Sequence, residues 1–264
     1  MARTGQKRVE RRVIDLATLP RPVFARVESL PAGSYTRPHR HDWAQLSYAI
    51  EGVLSVRTQA GSFYAPPQRA VWVPASIEHE VVTSARAEMR SLYLAPAVTP
   101  WGPSSCRVLE MSALARELIR AVTALPVEYD ERGPAGRLVQ VLLDQLATLP
   151  EVAFSLPAAR DARLQTIAAA LEREPDDRRT LAEWSRVAGA SERTLARLFR
   201  RETGLSFREW RQRLRLLTSL GALEDGTSVT AAALDSGYDS PSAFIAAFKR
   251  LFGRTPGNAP TKAA

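Results

Sequence analysis

Ser191–Gly204 reads SERTLARLFRRETG, and Ser240–Gly253 reads SPSAFIAAFKRLFG. Set Ser191 on Ser240, and Leu195 falls on Phe244, Phe199 on Phe248 and Gly204 on Gly253. The same preamble stands before each copy: Leu181-x3-Ser185-x3-Gly189 and Val229-x3-Ala233-x3-Gly237. Both read as a short helix, a tight turn, and a second helix opened by a Ser cap and closed by Gly. A helix-turn-helix is therefore written twice, at 180–204 and 228–253, and this repeat makes the second half all-helical.

Outward from the repeat, Asp161 is expected to cap a helix with Leu164, Ile167, Ala168 and Leu171 inward, stopped by Pro175. Thr180 caps the next, whose expected buried face is Leu181, Trp184 and Val187. On the second helix of the first unit, Leu195, Leu198 and Phe199 make an inner stripe. Arg193, Thr194, Ala196, Arg197, Arg200 and Arg201 lie opposite. Arg193 and Arg197 stand at i and i+4, so they project together. A helix of this kind fits the DNA major groove, where Arg pairs bidentately with guanine. Arg200 and Arg201, nearer its end, suit phosphates. Between the units, Phe207, Trp210, Leu214, Leu217, Leu220 and Leu223 recur as one face of a connecting helix. Arg208, Arg211 and Arg215 on it are placed to line the DNA backbone. In the second unit Phe244, Phe248 and Leu251 point inward, while Ser242, Ala243, Ile245, Ala246 and Lys249 face out.

The first half has another period. VFARV, QLSYAI, VLSVRT, AVWVP, HEVVT and RSLYLA are short β-rich runs between Gly, Pro and polar turns, which implies a sandwich or barrel. All three histidines lie here, His39, His41 and His79. The spacing His39-x-His41 predicts two imidazoles on one face of a strand. Trp43, Tyr48, Phe63, Tyr64 and Trp72 divide between core and pocket wall in a way the sequence does not sort. After Pro103 the period becomes helical. One helix is expected to bury Leu114, Leu118, Ile119 and Val122, a second Leu138, Val141, Leu142, Gln145, Leu146 and Leu149. Packing on the barrel and pairing with a second chain are both open to these two.

Of 264 residues, 36 are Lys or Arg and 28 Asp or Glu, a net charge of +8, which suits a polyanionic partner. The first 12 residues hold five bases against one acid. The single Cys106 excludes an internal disulfide and fits a reducing compartment. The N-terminus lacks the apolar core of a signal peptide, and no apolar run reaches membrane-spanning length, so a cytoplasmic protein is expected.

Gly33-x5-His39-x-His41-x3-Gln45-x6-Gly52, followed by Pro74-x4-His79, resembles the two motifs of the cupin family of jelly-roll barrels. Gln45 stands where those carry Glu, and Ser76 where they carry Gly. The resemblance implies that His39, His41, Gln45 and His79 hold one divalent transition metal: Zn, Ni, Cu or Fe. Because Gln is neutral, the ion would keep its full charge and favour an anionic effector. The repeat itself, from about Asp161 to Ala259, resembles the AraC/XylS family of bacterial transcription regulators, in which a cupin sensor precedes such a domain. It implies base contacts from Arg193, Ala196 and Arg197, and from Ser242, Ile245 and Ala246. It also implies promoter DNA, RNA polymerase, a small-molecule effector and a second copy of the chain as partners.

The expected architecture is a two-domain α+β chain. It runs as a basic disordered tail at 1–20, a cupin effector domain at 21–100, a helix pair at 101–152 and a DNA-binding domain at 153–264. The expected function is sequence-specific transcription regulation, activating or repressing, without catalysis. The competing reading is a cupin-type metal-dependent enzyme with an accessory DNA-binding domain.

Overall fold

A computed structural model describes residues 9–13, 15–83, 85–102 and 105–258. The chain forms two compact units. The N-terminal unit takes the chain up to residue 58 and 63–153; the C-terminal unit takes 59–62 and the chain from 154 on.

The N-terminal unit is built from two sheets and a helix pair. Its strands are β1 (Val9–Glu10), β2 (Val23–Leu30), β3 (Ser34–Tyr35), β4 (Ala44–Glu51), β5 (Leu54–Thr58), β6 (Gly61–Ala65), β7 (Arg69–Val73), β8 (His79–Thr83), β9 (Ala87–Leu94) and β10 (Arg107–Glu110). Within this unit one sheet orders them β1-β3-β8-β5-β6 and the other β10-β7-β4-β9-β2. Each of the six β-rich runs forms a strand. The short strands β1, β3, β6 and β10 were not expected.

The helices are α1 (Ala113–Thr123) and α2 (Pro134–Ala147), and they cover one face of the second sheet. Alternation along each strand decides which side chain goes where. Ala44, Leu46 and Tyr48 of β4, Ala70 and Trp72 of β7, and Leu92 and Leu94 of β9 join one core with Leu118, Ile119, Leu142 and Leu146 of the helices. The intervening residues, among them Gln45, Ser47, Ser91 and Tyr93, take the opposite face and are buried as well. The helix faces differ from those expected by a rotation. Leu114 (52%) and Val141 (46%) are exposed, while Ala115, Val139 and Leu143 are buried in their stead.

The expected tail 1–20 is not free where it is described. Val9 N–H donates to Gly33 O and Arg11 N–H to Tyr35 O. The Arg11 guanidinium also reaches Glu28 at 3.3 Å. Ladder bonds hold Val9–Glu10 as a strand, and a largely covered ion pair fixes Arg11 beside it. Residues 1–8 and 14 lie outside the described residues.

Among the described residues the C-terminal unit holds β11 (Ser155–Pro157) and six α-helices: α3 (Ala162–Arg173), α4 (Leu181–Ala188), α5 (Glu192–Thr203), α6 (Phe207–Glu224), α7 (Val229–Asp235) and α8 (Pro241–Phe252). Side-chain caps open all six, from Asp161, Thr180, Ser191, Ser206, Ser228 and Ser240. Thr180–Glu183 and Ser206–Glu209 are full capping boxes. Gly204 and Gly253 close α5 and α8 in the left-handed conformation, φ 71° and 74°. The core of the unit is Leu164, Ile167, Trp184, Leu195, Phe199, Trp210, Leu214, Phe244 and Phe248. Trp210 Nε1 donates to Pro157 O at 2.9 Å. Val187, expected inward, is 55% exposed. It lies six positions after Leu181, ~120° round the helix from it and ~60° beyond Trp184.

Candidate nucleic-acid interface and histidine centre

The caps and inner stripes fix how α5 and α8 stand in their units, and so fix what they show to solvent. On α5, Arg193, Ala196, Arg197, Arg200 and Arg201 are exposed. Arg193 and Arg197 have no hydrogen bond or ion pair among the described residues, so nothing in the fold competes for them. Arg200 lies 3.2 Å from Glu209 and Arg201 3.0 Å from Glu202. The Arg200–Glu209 pair is exposed on both sides and worth ~0–1 kcal/mol, so a phosphate can replace that carboxylate, whereas Glu202 is mostly covered and also accepts from Arg160 N–H and Asp161 N–H. Thr194 spends part of its capacity in the cap, its hydroxyl 2.9 Å from that of Ser191.

On α8, Ser242, Ala246 and Lys249 are exposed and Ile245 is partly covered. The exposed Arg250 next to Lys249 adds a cation that the sequence reading left out. The Lys–Arg pair in the last turn was the available signal. Phe252 is buried where Leu251 was expected, and Phe248 packs against it at 4.5 Å between ring centroids.

Along α6 the three arginines part company. Arg208 is exposed. Arg211, expected at the DNA backbone, instead donates to Arg179 O at 2.6 Å and lies over the Phe207 ring. Arg215 gives all three nitrogens to backbone carbonyls: Nε to Pro175 O at 2.7 Å, Nη1 to Gly237 O at 2.9 Å and Nη2 to Asp177 O at 2.9 Å. Both side chains are half-buried, which α6 imposes by turning them under the loop before α4.

In the N-terminal unit the structure brings His39, His41 and His79 together, with one ligand nitrogen from each within 4.8 Å of the others. His79 opens β8. His39 and His41 are not in a regular strand, as expected, but in the extended segment between β3 and β4. One isolated bridge, His39 to His79, replaces a ladder there. Gln45 comes from β4 and closes the group.

Each imidazole sets its Nδ1 against a backbone carbonyl: His39 on Arg37 O at 2.9 Å, His41 on Trp43 O at 2.6 Å, His79 on Ile77 O at 2.9 Å. A carbonyl only accepts, so a neutral ring must carry its proton on Nδ1 and leave the Nε2 lone pair bare. His41 Nε2 and His79 Nε2 then face Gln45 Oε1 at 3.0 and 3.3 Å, acceptor against acceptor. A cation among them resolves this. So does a half-turn of the amide, which presents Gln45 Nε2–H to the rings and Oε1 to the Ser47 hydroxyl, 2.9 Å from the amide. Burial pushes the His79 imidazole down to about 3, against the pull of the Ile77 carbonyl, and His39, His41 and Arg11 push the same way. Burial lowers His39 too. Protons therefore do not compete for His79 near neutrality.

Two rings wall the centre. Trp43 stacks on His41 at 5.3 Å, and Tyr93 meets it edge-on at 5.9 Å. Tyr48 and Trp72 belong to the core under the helices. Tyr93 escaped the sequence reading because only the β4–β9 register, Gln45 opposite Tyr93, brings it near.

Residues 21–149 match the family described as the AraC-like ligand binding domain, and residues 184–259 match a helix-turn-helix domain. The chain belongs to the AraC family. This AraC-family chain is 39% identical over 153 residues to the HTH-type transcriptional regulator NimR of Escherichia coli, covering 58% of this chain and 56% of NimR. It is 34% identical over 119 residues to the HTH-type transcriptional regulator RipA of Corynebacterium glutamicum, covering 45% of this chain and 34% of RipA. It thus spans about half of the one and a third of the other. The structure of ToxT from Vibrio cholerae aligns over 89% of this chain and 97% of its own at 11% identity, with a TM-score of 0.38. Among the described residues no helix is long and apolar enough to cross a membrane.

Proposed function

We propose that the protein is a sequence-specific transcription regulator whose DNA binding is set by a small molecule or metal in the N-terminal unit. One observation carries the DNA reading: two capped helix-turn-helix units, of which α5 presents Arg193 and Arg197 unpartnered on its outer face. Arg197, Arg193 and Ala196 are the base readers of α5, and Ser242, Ile245 and Ala246 those of α8. Arg200, Arg201, Arg208 and Lys249 meet phosphates. Selection of binding sites from a randomised duplex pool, followed by footprinting, tests this; a pool that never enriches a sequence overturns it. The relatives' names as transcriptional regulators support the reading.

The donor set of the histidine centre fits one Zn, Ni, Cu or Fe ion. Three Nε2 lone pairs and one amide oxygen are neutral, borderline ligands. The backbone carbonyls behind the rings fix the tautomer such a site needs. With His39, His41 and His79 as its ligands and Gln45 beside them, such an ion would have a position available to an effector. Bound there, it supplies an undiminished positive charge, and so the effector is an anion such as a carboxylate. Metal content of the purified protein checks this: His79→Ala should lose the ion and the effector response together, while DNA binding by the C-terminal unit persists.

The protein acts in the cytoplasm, as a homodimer, and with RNA polymerase. Leu114 and Val141, exposed on α1 and α2, support pairing through the helices. Sedimentation of Leu114→Glu and Val141→Glu checks it, with loss of the dimer expected. Nothing in the centre beyond three imidazoles and an amide offers general acid–base chemistry, which favours sensing over turnover. A turnover screen of the metal-loaded chain is the check on the enzyme reading.

A further inference from the structure

The two helix-turn-helix units repeat each other, but their turns do not stand in equal surroundings. Gly189, in the turn of the first unit, has φ 63° and nothing within 4 Å of where a Cβ would be. Gly237, its counterpart, has φ 75°, and a Cβ there would meet the Asp176 Cα at 2.7 Å and Arg215 Nη2 at 2.8 Å. The turn of the second unit is thus pressed against the loop that leads into the first, with Arg215 between them. That side chain bonds Pro175 O and Asp177 O on the loop and Gly237 O on the turn, using Nε, Nη2 and Nη1. Two further contacts follow the same seam. Arg178 meets Asp239 at 3.1 Å, and Arg211 Nη1 holds Arg179 O.

We propose that Arg215 is a positioning residue that sets the distance between the two DNA-reading helices, and so the spacing of half-sites the protein accepts. The guanidinium is a flat, permanently charged fork with five donors, and here it spans three carbonyls from two segments. A lysine ammonium is a point charge and cannot span them. α6 itself packs against α5 of the first unit and against α7 and α8 of the second. The bonds from Arg215 fix how the second unit is turned about α6 relative to the first. Half-sites on one face of DNA repeat with the helical turn, so a rigid pair of readers is intolerant of a base pair added between them.

This rests on the proposed DNA-binding function, and the experiment separates the two. The full chain is used to select sites from a randomised duplex pool. The selected site is then compared with versions carrying one base pair inserted or removed between its two protected segments. Wild type should lose about tenfold or more in affinity on the altered spacings. Arg215→Leu should bind all three spacings with ratios near one, and Arg215→Lys should fall between. A folded Arg215→Leu that keeps the wild-type ratios overturns the inference, because the residue then only supports the fold. Should that variant not fold, Gly237→Ala decides: pushing turn from loop should move the preferred spacing or flatten it, and an unchanged preference overturns the inference. A wild-type chain that selects a site but ignores its spacing sinks this inference alone. A chain that selects no site sinks the proposed function with it.

Discussion

Arg197 and Ala246 hold equivalent outward places on α5 and α8, yet one offers a fork of donors and the other a methyl group. Arg197→Ala should therefore cost about 1–3 kcal/mol of base discrimination, whereas Ala246→Gly should leave binding nearly unchanged; equal losses in a titration would refute the asymmetry. Glu224 provides a test of burial. Desolvation raises its carboxyl to about 7, with Arg254 opposing and Asp225 adding. The folded state thus holds this proton more tightly than the unfolded chain, whose value is near 4.5. The stability it contributes is complete below pH 4.5 and is lost as pH rises through 7. Glu224→Gln should match wild type in thermal midpoint at pH 4 and exceed it at pH 8. A gap that does not widen with pH would show that burial of the carboxylate is not the cause.

At the scale of single elements, caps and stripes decide. Ser191→Ala removes the acceptor for Thr194 N–H at the mouth of α5 and should cost about 1 kcal/mol in chemical denaturation. Phe199→Ala empties the centre of the first unit and should cost about 3–5 kcal/mol. Much of this was legible. The repeat, its Ser openings and its Gly endings are local signals, and they placed all four helices of the two units. Less was legible in the first half. Strand β6 starts on a glycine and β10 is four residues long, so neither shows a run of alternation. α1 and α2 were recognised with the wrong residues at their edges. Their apolar positions exceed one stripe, and only the sheet beneath decides between Leu114 and Ala115. The histidines were found by spacing, but their approach depends on a single bridge between distant segments, which no local period encodes. Arg211 and Arg215 look like any exposed helical arginine until the loop that accepts from them is in place.

Across the whole molecule the charge is what acts at a distance. On the proposed reading, in which Arg200, Arg201, Arg208 and Lys249 meet DNA phosphates, a chain at +8 should bind more weakly as salt rises. Arg208 is the cleanest probe, being exposed and, among the described residues, without a hydrogen bond or ion pair. Arg208→Ala should weaken binding to every sequence alike and reduce the slope of log affinity against log salt by about 0.9, read from a salt series. A change confined to one sequence would make it a base reader. The outer face of α8 has a different consequence. Ser242, Ala243 and Ala246 are exposed, and the residues that hold the helix, Phe244, Ala247 and Phe248, are none of them. If α8 reads bases as proposed, single substitutions there would readdress the protein to other promoters while the scaffold and the α5 half of the address stay as they were. On that reading, regulators with divergent targets would grow from such a chain by drift on one small, exposed surface.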